Sequence, residues 1–154
     1  MTSSEHAKHA TSWRTAARAT LHCLTGCAIG EVLGMIIATA LGLANLPTIV
    51  LSVVLAFAFG YALTLRPLLA AGLAFRPSGR IALAADTVSI TVMEIMDNVF
   101  LLAVPGALAA GLADGLFWWS LVASLVVAFV ITLPVNRAMI ARGKGHAVVH
   151  AYHG

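Results

Sequence analysis

An all-α membrane protein, built as a four-transmembrane-helix bundle with both termini cytoplasmic, is the fold class this sequence predicts. Three observations lead there. The first is composition: of 154 residues, 60% are apolar and only 10% charged, where an ordinary soluble domain carries roughly 25% charged residues. So short a chain cannot hide that much apolar surface in one water-soluble core, so lipid is the expected solvent. The second is run length. Four apolar runs each reach the roughly 20 residues needed to cross a hydrocarbon layer of ~30 Å, and none alternates with period two as a membrane β-strand would. The third is charge placement. Lys8, Arg14 and Arg18 precede the first run, Arg66, Arg76 and Arg80 separate the second from the third, and Arg137, Arg142 and Lys144 follow the fourth. The other two links hold no Lys or Arg, so the positive-inside rule puts both termini in the cytoplasm.

The elements follow in order. Residues 1–19 are polar and basic, and Ala-rich spacing with Trp13 suits an interfacial N-terminal helix. The predicted spans are residues 20–43, 47–65, 81–104 and 116–139, forming one transmembrane domain over residues 20–139. Ala44 to Pro47 is too short to be anything but a hairpin link. Pro67, Pro77 and Gly79 mark the second connection, and Pro105 to Gly115 the third. Phe117, Trp118 and Trp119 open the fourth span where an aromatic belt is expected. Pro134 should kink that span one turn before Asn136 and Arg137. Residues 140–154 form a cytoplasmic tail containing His146, His150 and His153.

Ionisable groups inside a lipid-spanning helix cost several kcal/mol unless paired or wetted, which makes each a functional candidate. They concentrate in two helices that run in the same direction. On the first, Cys23, Cys27, Glu31 and Met35 recur every fourth residue as one slowly winding stripe, with His22 at its edge. Beside it runs a row of small residues, Gly26, Gly30, Gly34, Ala38 and Gly42, the spacing that lets helix backbones approach closely in lipid. On the third, Asp86 and Asp97 face nearly the same way, with Met93, Glu94 and Asn98 on or near that face. At ~1.5 Å per residue, Glu31 lies ~16 Å into its helix and Glu94 ~20 Å into its own, so the two can meet near the midplane.

Two chemistries suit this ladder. Thiol, imidazole and thioether groups favour copper or zinc, and carboxylates favour harder divalent ions, which predicts binding or transport of a transition-metal cation. Alternatively the carboxyls form a proton or monovalent-cation channel or relay and the cysteines are incidental. A third class is an accessory subunit of a larger membrane complex. His146, His150 and His153 fall on one helical face and could gather metal at a cytoplasmic mouth. The glycine row, in a chain too small to enclose a pathway alone, suggests a homo-oligomer. No phosphate loop, nucleophile elbow or zinc-protease helix is present, so neither an enzyme nor a nucleic-acid partner is expected.

The stretches His22-Cys23-Leu24-Thr25-Gly26-Cys27-Ala28-Ile29-Gly30-Glu31, Ala85-Asp86-Thr87 through Met93-Glu94-Ile95-Met96-Asp97-Asn98, and Pro134-Val135-Asn136-Arg137 resemble the bacterial domain-of-unknown-function 4396 family of small integral membrane proteins. The resemblance spans the first helix to the histidine tail. It implies a multi-pass protein of the bacterial inner membrane. The family label carries no agreed activity, and a loose association with copper nomenclature inclines the expectation towards metal.

Overall fold

The computed structural model describes residues 3–72 and 77–142. Four helices account for nearly all of them: α1 (Ser3–Leu41), α2 (Asn45–Ala70), α3 (Pro77–Ala103) and α4 (Gly115–Ala141), with a single 3-10 turn at Ala107–Ala109 before α4. The histidine tail, with His146, His150 and His153, lies outside the described residues.

Three helices are long and apolar enough to cross a membrane: α1 from Trp13 to Leu41, α2 and α4. The fourth predicted span, α3, is as long as α4 but carries Arg80, Asp86, Glu94 and Asp97, and falls outside that set. Burial is inverted relative to a soluble domain. Val126, Val130 and Leu102 are exposed, while Thr20, Asp86, Ser89, Ser120, Ser124, Thr132 and Asn136 are fully or almost fully buried. Apolar outside and polar inside is the arrangement that lipid as solvent selects, so the chain is a membrane protein.

Helix ends follow local chemistry. Gly42 takes φ +64°, its N–H reaches the Thr39 carbonyl, and the Leu43 N–H reaches Ala38 at 2.9 Å. These two bonds are the Schellman closure that glycine permits. Pro47 falls in the first turn of α2, where no N–H is needed. Gly72, at φ +71°, ends α2 in the same left-handed region. Each helix runs further than the apolar run that predicts it. In α1 the residues from Ser3 to Ala19 are helical and continue into the span without a break. Both Pro67 and Pro134 are accommodated inside continuous helices.

In cross-section α1 packs against α2 and α4, and α3 packs against α4 and α2, so α1 and α3 face each other across the short diagonal. The closest approach is between α1 and α2. A Cβ on Gly26 would lie 2.8 Å from the Gly60 Cα, on Gly30 2.6 Å from the Ala56 Cα, and on Gly34 2.9 Å from the Ser52 Cα. Each step of four up α1 is matched by a step of four down α2, so the two helices are antiparallel with backbones in contact. This corrects the expectation that the glycine row serves a homo-oligomer: its Gly26, Gly30 and Gly34 are spent on α2 of the same chain. Gly42 caps the helix, and a Cβ there would meet nothing.

The register yields a contrast. Gly30→Leu should lower the melting temperature in detergent and the folded yield, at an overpacking cost of about 1–3 kcal/mol or more. Gly42→Asn, in open space at a position that tolerates Asn, should leave both near wild type. An unaffected Gly30→Leu would show that the bundle does not depend on this approach.

Candidate functional site

Facing α2 with one row of α1 turns the neighbouring row into the core. Cys27 and Glu31 each follow a glycine by one residue, a rotation of ~100°, so they point at α3 and α4 instead. His22 stands four residues before Gly26 and belongs to the glycine row; its Nε2 meets the Thr64 hydroxyl of α2 at 2.9 Å. That revises its expected place at the edge of the cysteine stripe.

From the basic end of the bundle upward, the core forms layers. The lowest is a network joining three helices. Ser89 of α3 donates to Oδ1 of Asn136 in α4, the Asn136 amide donates to Thr20 Oγ1 of α1 at 2.9 Å, and Thr20 donates to the Ala16 carbonyl at 2.7 Å. The Arg137 guanidinium lies 4.0 Å over the Trp13 ring at the same end, tying α4 to α1. Interleaved with this network, Cys23 Sγ contacts Asp86 Oδ1 at 3.5 Å, with Asp86 fully buried and one turn nearer the basic end than Ser89. Next comes a sulfur layer, where Cys27 Sγ lies 3.9 Å from Met93 Sδ. Ala56, Ile90 and Ala128 pack around both cysteines and Met93 and make this the driest part of the core.

The upper layer is the acid cluster. Glu31 interacts electrostatically with both Asp97 and Glu94, and Glu94 with Asp97. All three are at least nine-tenths buried. Glu31 Oε1, Glu94 Oε1 and Asp97 Oδ1 have no hydrogen-bond partner among the described residues. Asn98 turns its amide back onto the Glu94 carbonyl at 2.8 Å. The three acids and Asn98 line a cavity of about 240 Å³. Its upper rim comes from the α1–α2 link, at Gly42, Leu43 and Asn45, and from the segment Ala107–Gly111 between α3 and α4. That segment is built firmly: Asp114 accepts from the Gly111 N–H at 2.8 Å and Trp118 Nε1 donates to the Leu112 carbonyl at 2.9 Å. The cavity is therefore a vestibule at the end of the bundle without basic residues, and its acids stand at the depth of the core.

The residues singled out for an ion pathway thus separate into distinct groups. Glu31, Glu94, Asp97 and Asn98 gather at the vestibule, Cys27 and Met93 form the sulfur layer, and Cys23 pairs with Asp86 below. Among the described residues no three His, Cys, Asp or Glu side chains converge closely enough to hold a metal ion. Composition alone pointed to α1 and α3 as the polar helices, with α2 and α4 as walls. The structure adds Ser52, Thr64, Ser120, Ser124, Thr132 and Asn136 to the interior. Their signal was present as two more rows of small residues at four-residue spacing: Ser52, Ala56, Gly60 and Thr64 on α2, and Ser120, Ser124, Ala128, Thr132 and Asn136 on α4.

The lower network makes a measurable claim. In a Ser89→Ala and Asn136→Ala double-mutant cycle, reversible unfolding in mixed micelles should show a coupling of about 0.5–2 kcal/mol, the range for interhelical bonds in membranes. Strict additivity would mean the two side chains do not act together.

No curated protein and no solved structure matches this chain. Residues 12–145 match a family described as a domain of unknown function, DUF4396. The matched stretch contains the acid cluster, the sulfur layer and the lower network, and it stops short of His146. By that match the chain belongs to the DUF4396 family, a domain of unknown function.

Proposed function

We propose that this protein crosses the bacterial inner membrane four times, with α3 as a polar fourth span and both termini cytoplasmic, and relays protons between the vestibule and the cytoplasmic half of the bundle. Placement of Lys and Arg supports the orientation, and the packing of α3 against α4 and α2 supports its crossing with them. In that orientation the vestibule opens outward. The observation that carries the functional reading is the floor of the vestibule: three buried carboxyls close enough to interact electrostatically, each with an oxygen lacking a partner among the described residues. Carboxylates crowded into a low-dielectric site cannot all remain charged with nothing between them. Each needs a proton or a cation, and a vestibule delivers either. Glu31, Glu94 and Asp97 are the outer acceptors and Asp86 the inner one.

A second reading is favoured by one contact. Cys27 Sγ and Met93 Sδ lie 3.9 Å apart with Cys23 in the same cluster, and two thiols with a thioether are a soft donor set suited to copper(I). Transition-metal binding or transport ranks second because the harder ligands do not join those sulfurs in one site.

Proteoliposomes separate the two. A pH gradient should drive proton flux that falls at least about tenfold in Glu31→Gln and persists in the Cys23→Ser, Cys27→Ser double variant. Flux unchanged in both Glu31→Gln and Asp97→Asn would overturn the relay. Stoichiometric copper or zinc in the purified protein, lost in the cysteine variant, would install the metal reading in its place.

A further inference from the structure

The vestibule is unlike an ion-coordination site in one respect. Its acids cluster at the floor, whereas Met35, Leu101, Leu108, Phe117 and Leu121 make much of the walls above, with only uncharged polar residues such as Thr39, Asn45 and Thr48 among them. An inorganic cation entering here would surrender its hydration to apolar walls before reaching the carboxyls. No converging set of ligands waits to replace that hydration among the described residues. Water-borne protons avoid the cost, and so does a cation that brings its own apolar body.

We propose that the vestibule binds a small monovalent organic cation, a protonated or quaternary amine with a compact apolar substituent, in exchange for a proton on the acid cluster. The inference rests on the proton reading above, because it requires acids that hold a proton when the vestibule is empty of cation. Size sets the class: about 240 Å³ lies just below the range typical of drug-sized ligand pockets, so a bulky multi-ring cation does not fit. Charge sets the orientation. The ammonium group goes down to Glu31, Glu94 and Asp97, where it satisfies oxygens that now lack partners. The apolar body stays among the leucines and Phe117, which line the cavity. The exchange balances in charge: one positive organic ion enters, one proton leaves to water from a carboxylic acid, and no covalent bond to carbon forms or breaks.

The test is equilibrium binding, without flux. The full chain in lipid nanodiscs is titrated with benzyltrimethylammonium by calorimetry in two buffers of different ionisation enthalpy. The expected result is saturable binding with release of a proton per cation, weakened at least about tenfold, or ~1.4 kcal/mol, in Asp97→Asn and Glu31→Gln. Neopentylbenzene, the uncharged isostere, should not compete, and potassium at the same concentration should not displace the ligand. If the carboxyl variants fail to fold, Ala109→Trp narrows the vestibule from its rim, outside the acid cluster. It should weaken benzyltrimethylammonium binding while leaving carbodiimide labelling of the buried carboxyls intact. No binding, equal competition by the neutral isostere or by potassium, or binding without proton release would each overturn the proposal. Proton flux that survives any of those results would leave the relay standing and remove only the organic substrate. Loss of flux together with loss of binding would remove both.

Discussion

The backbone contact between α1 and α2 governs the rest of the molecule. A Cβ at Gly26, Gly30 or Gly34 would intrude on Gly60, Ala56 or Ser52, so the approach exists only while those positions stay bare. In lipid no hydrophobic force drives helices together, and close packing with interhelical hydrogen bonds must do so. The contact has a directional consequence as well. Once Gly26 and Gly30 are pressed on α2, Cys27 and Glu31 have no choice but the core, and His22, four residues below Gly26, must meet α2 at Thr64. One row of missing side chains thereby aims an entire row of chemistry.

The polar interior holds a hydrogen-bonded network at one end and a cluster of acids with open oxygens at the other. Near the basic end, Ser89, Asn136, Thr20 and the Ala16 carbonyl form a directed series in which donors and acceptors are matched. Such a network holds helices together and asks for nothing further. At the vestibule the reverse holds: Glu31, Glu94 and Asp97 keep buried oxygens without partners among the described residues. Burying polar groups without partners costs free energy. Buried acids with open oxygens are costly where a ligand or proton would relieve them, which is why the proposed function is placed at the vestibule.

Much of this was legible in the residues before any coordinates. Run length and Lys/Arg placement suffice for four helices and a proposed topology, because the bilayer imposes both a length and a charge rule. That Cys27 and Glu31 share one face of α1, and Met93 and Glu94 neighbouring positions on α3, follows from helical period; that the two faces meet depends on α1 packing beside α3. Two features were not legible. Which surface the glycine row would contact is a tertiary question, since small residues at four-residue spacing suit a second copy and a neighbouring helix equally well. Asn136 reads as a boundary residue because it adjoins Arg137, yet it is fully buried; a side chain one residue away on a helix points ~100° elsewhere. The serine and threonine rows of α2 and α4 escape notice for a related reason. Their hydroxyls scarcely alter hydropathy, and only their spacing betrays an inward face.

The sulfur layer bears on the proposed relay. Glu94 and Asp86 lie eight residues apart on α3, ~12 Å along the axis, and above buried Ser89 the core between them is Cys27, Met93, Ile90, Ala56 and Ala128. A thiol is a weak hydrogen-bond donor and a thioether only a weak acceptor, so this layer cannot carry a proton as a file of water or hydroxyls would. The vestibule acids are thus open to one side of the bundle and separated from Asp86 by a dry plug. Passage to the other side requires a rearrangement that wets or parts that plug. In the proposed relay the opening would fall between α1 and α3, which meet across the diagonal through weak sulfur contacts, whereas α1 and α2 are in backbone contact. Motion of the α3–α4 pair against the α1–α2 pair would open the layer while leaving the glycine register undisturbed. The same motion would also break the contacts that cross between the pairs, the Asn136–Thr20 and Tyr61–Thr87 bonds and the Arg137–Trp13 stack, so together these would oppose opening.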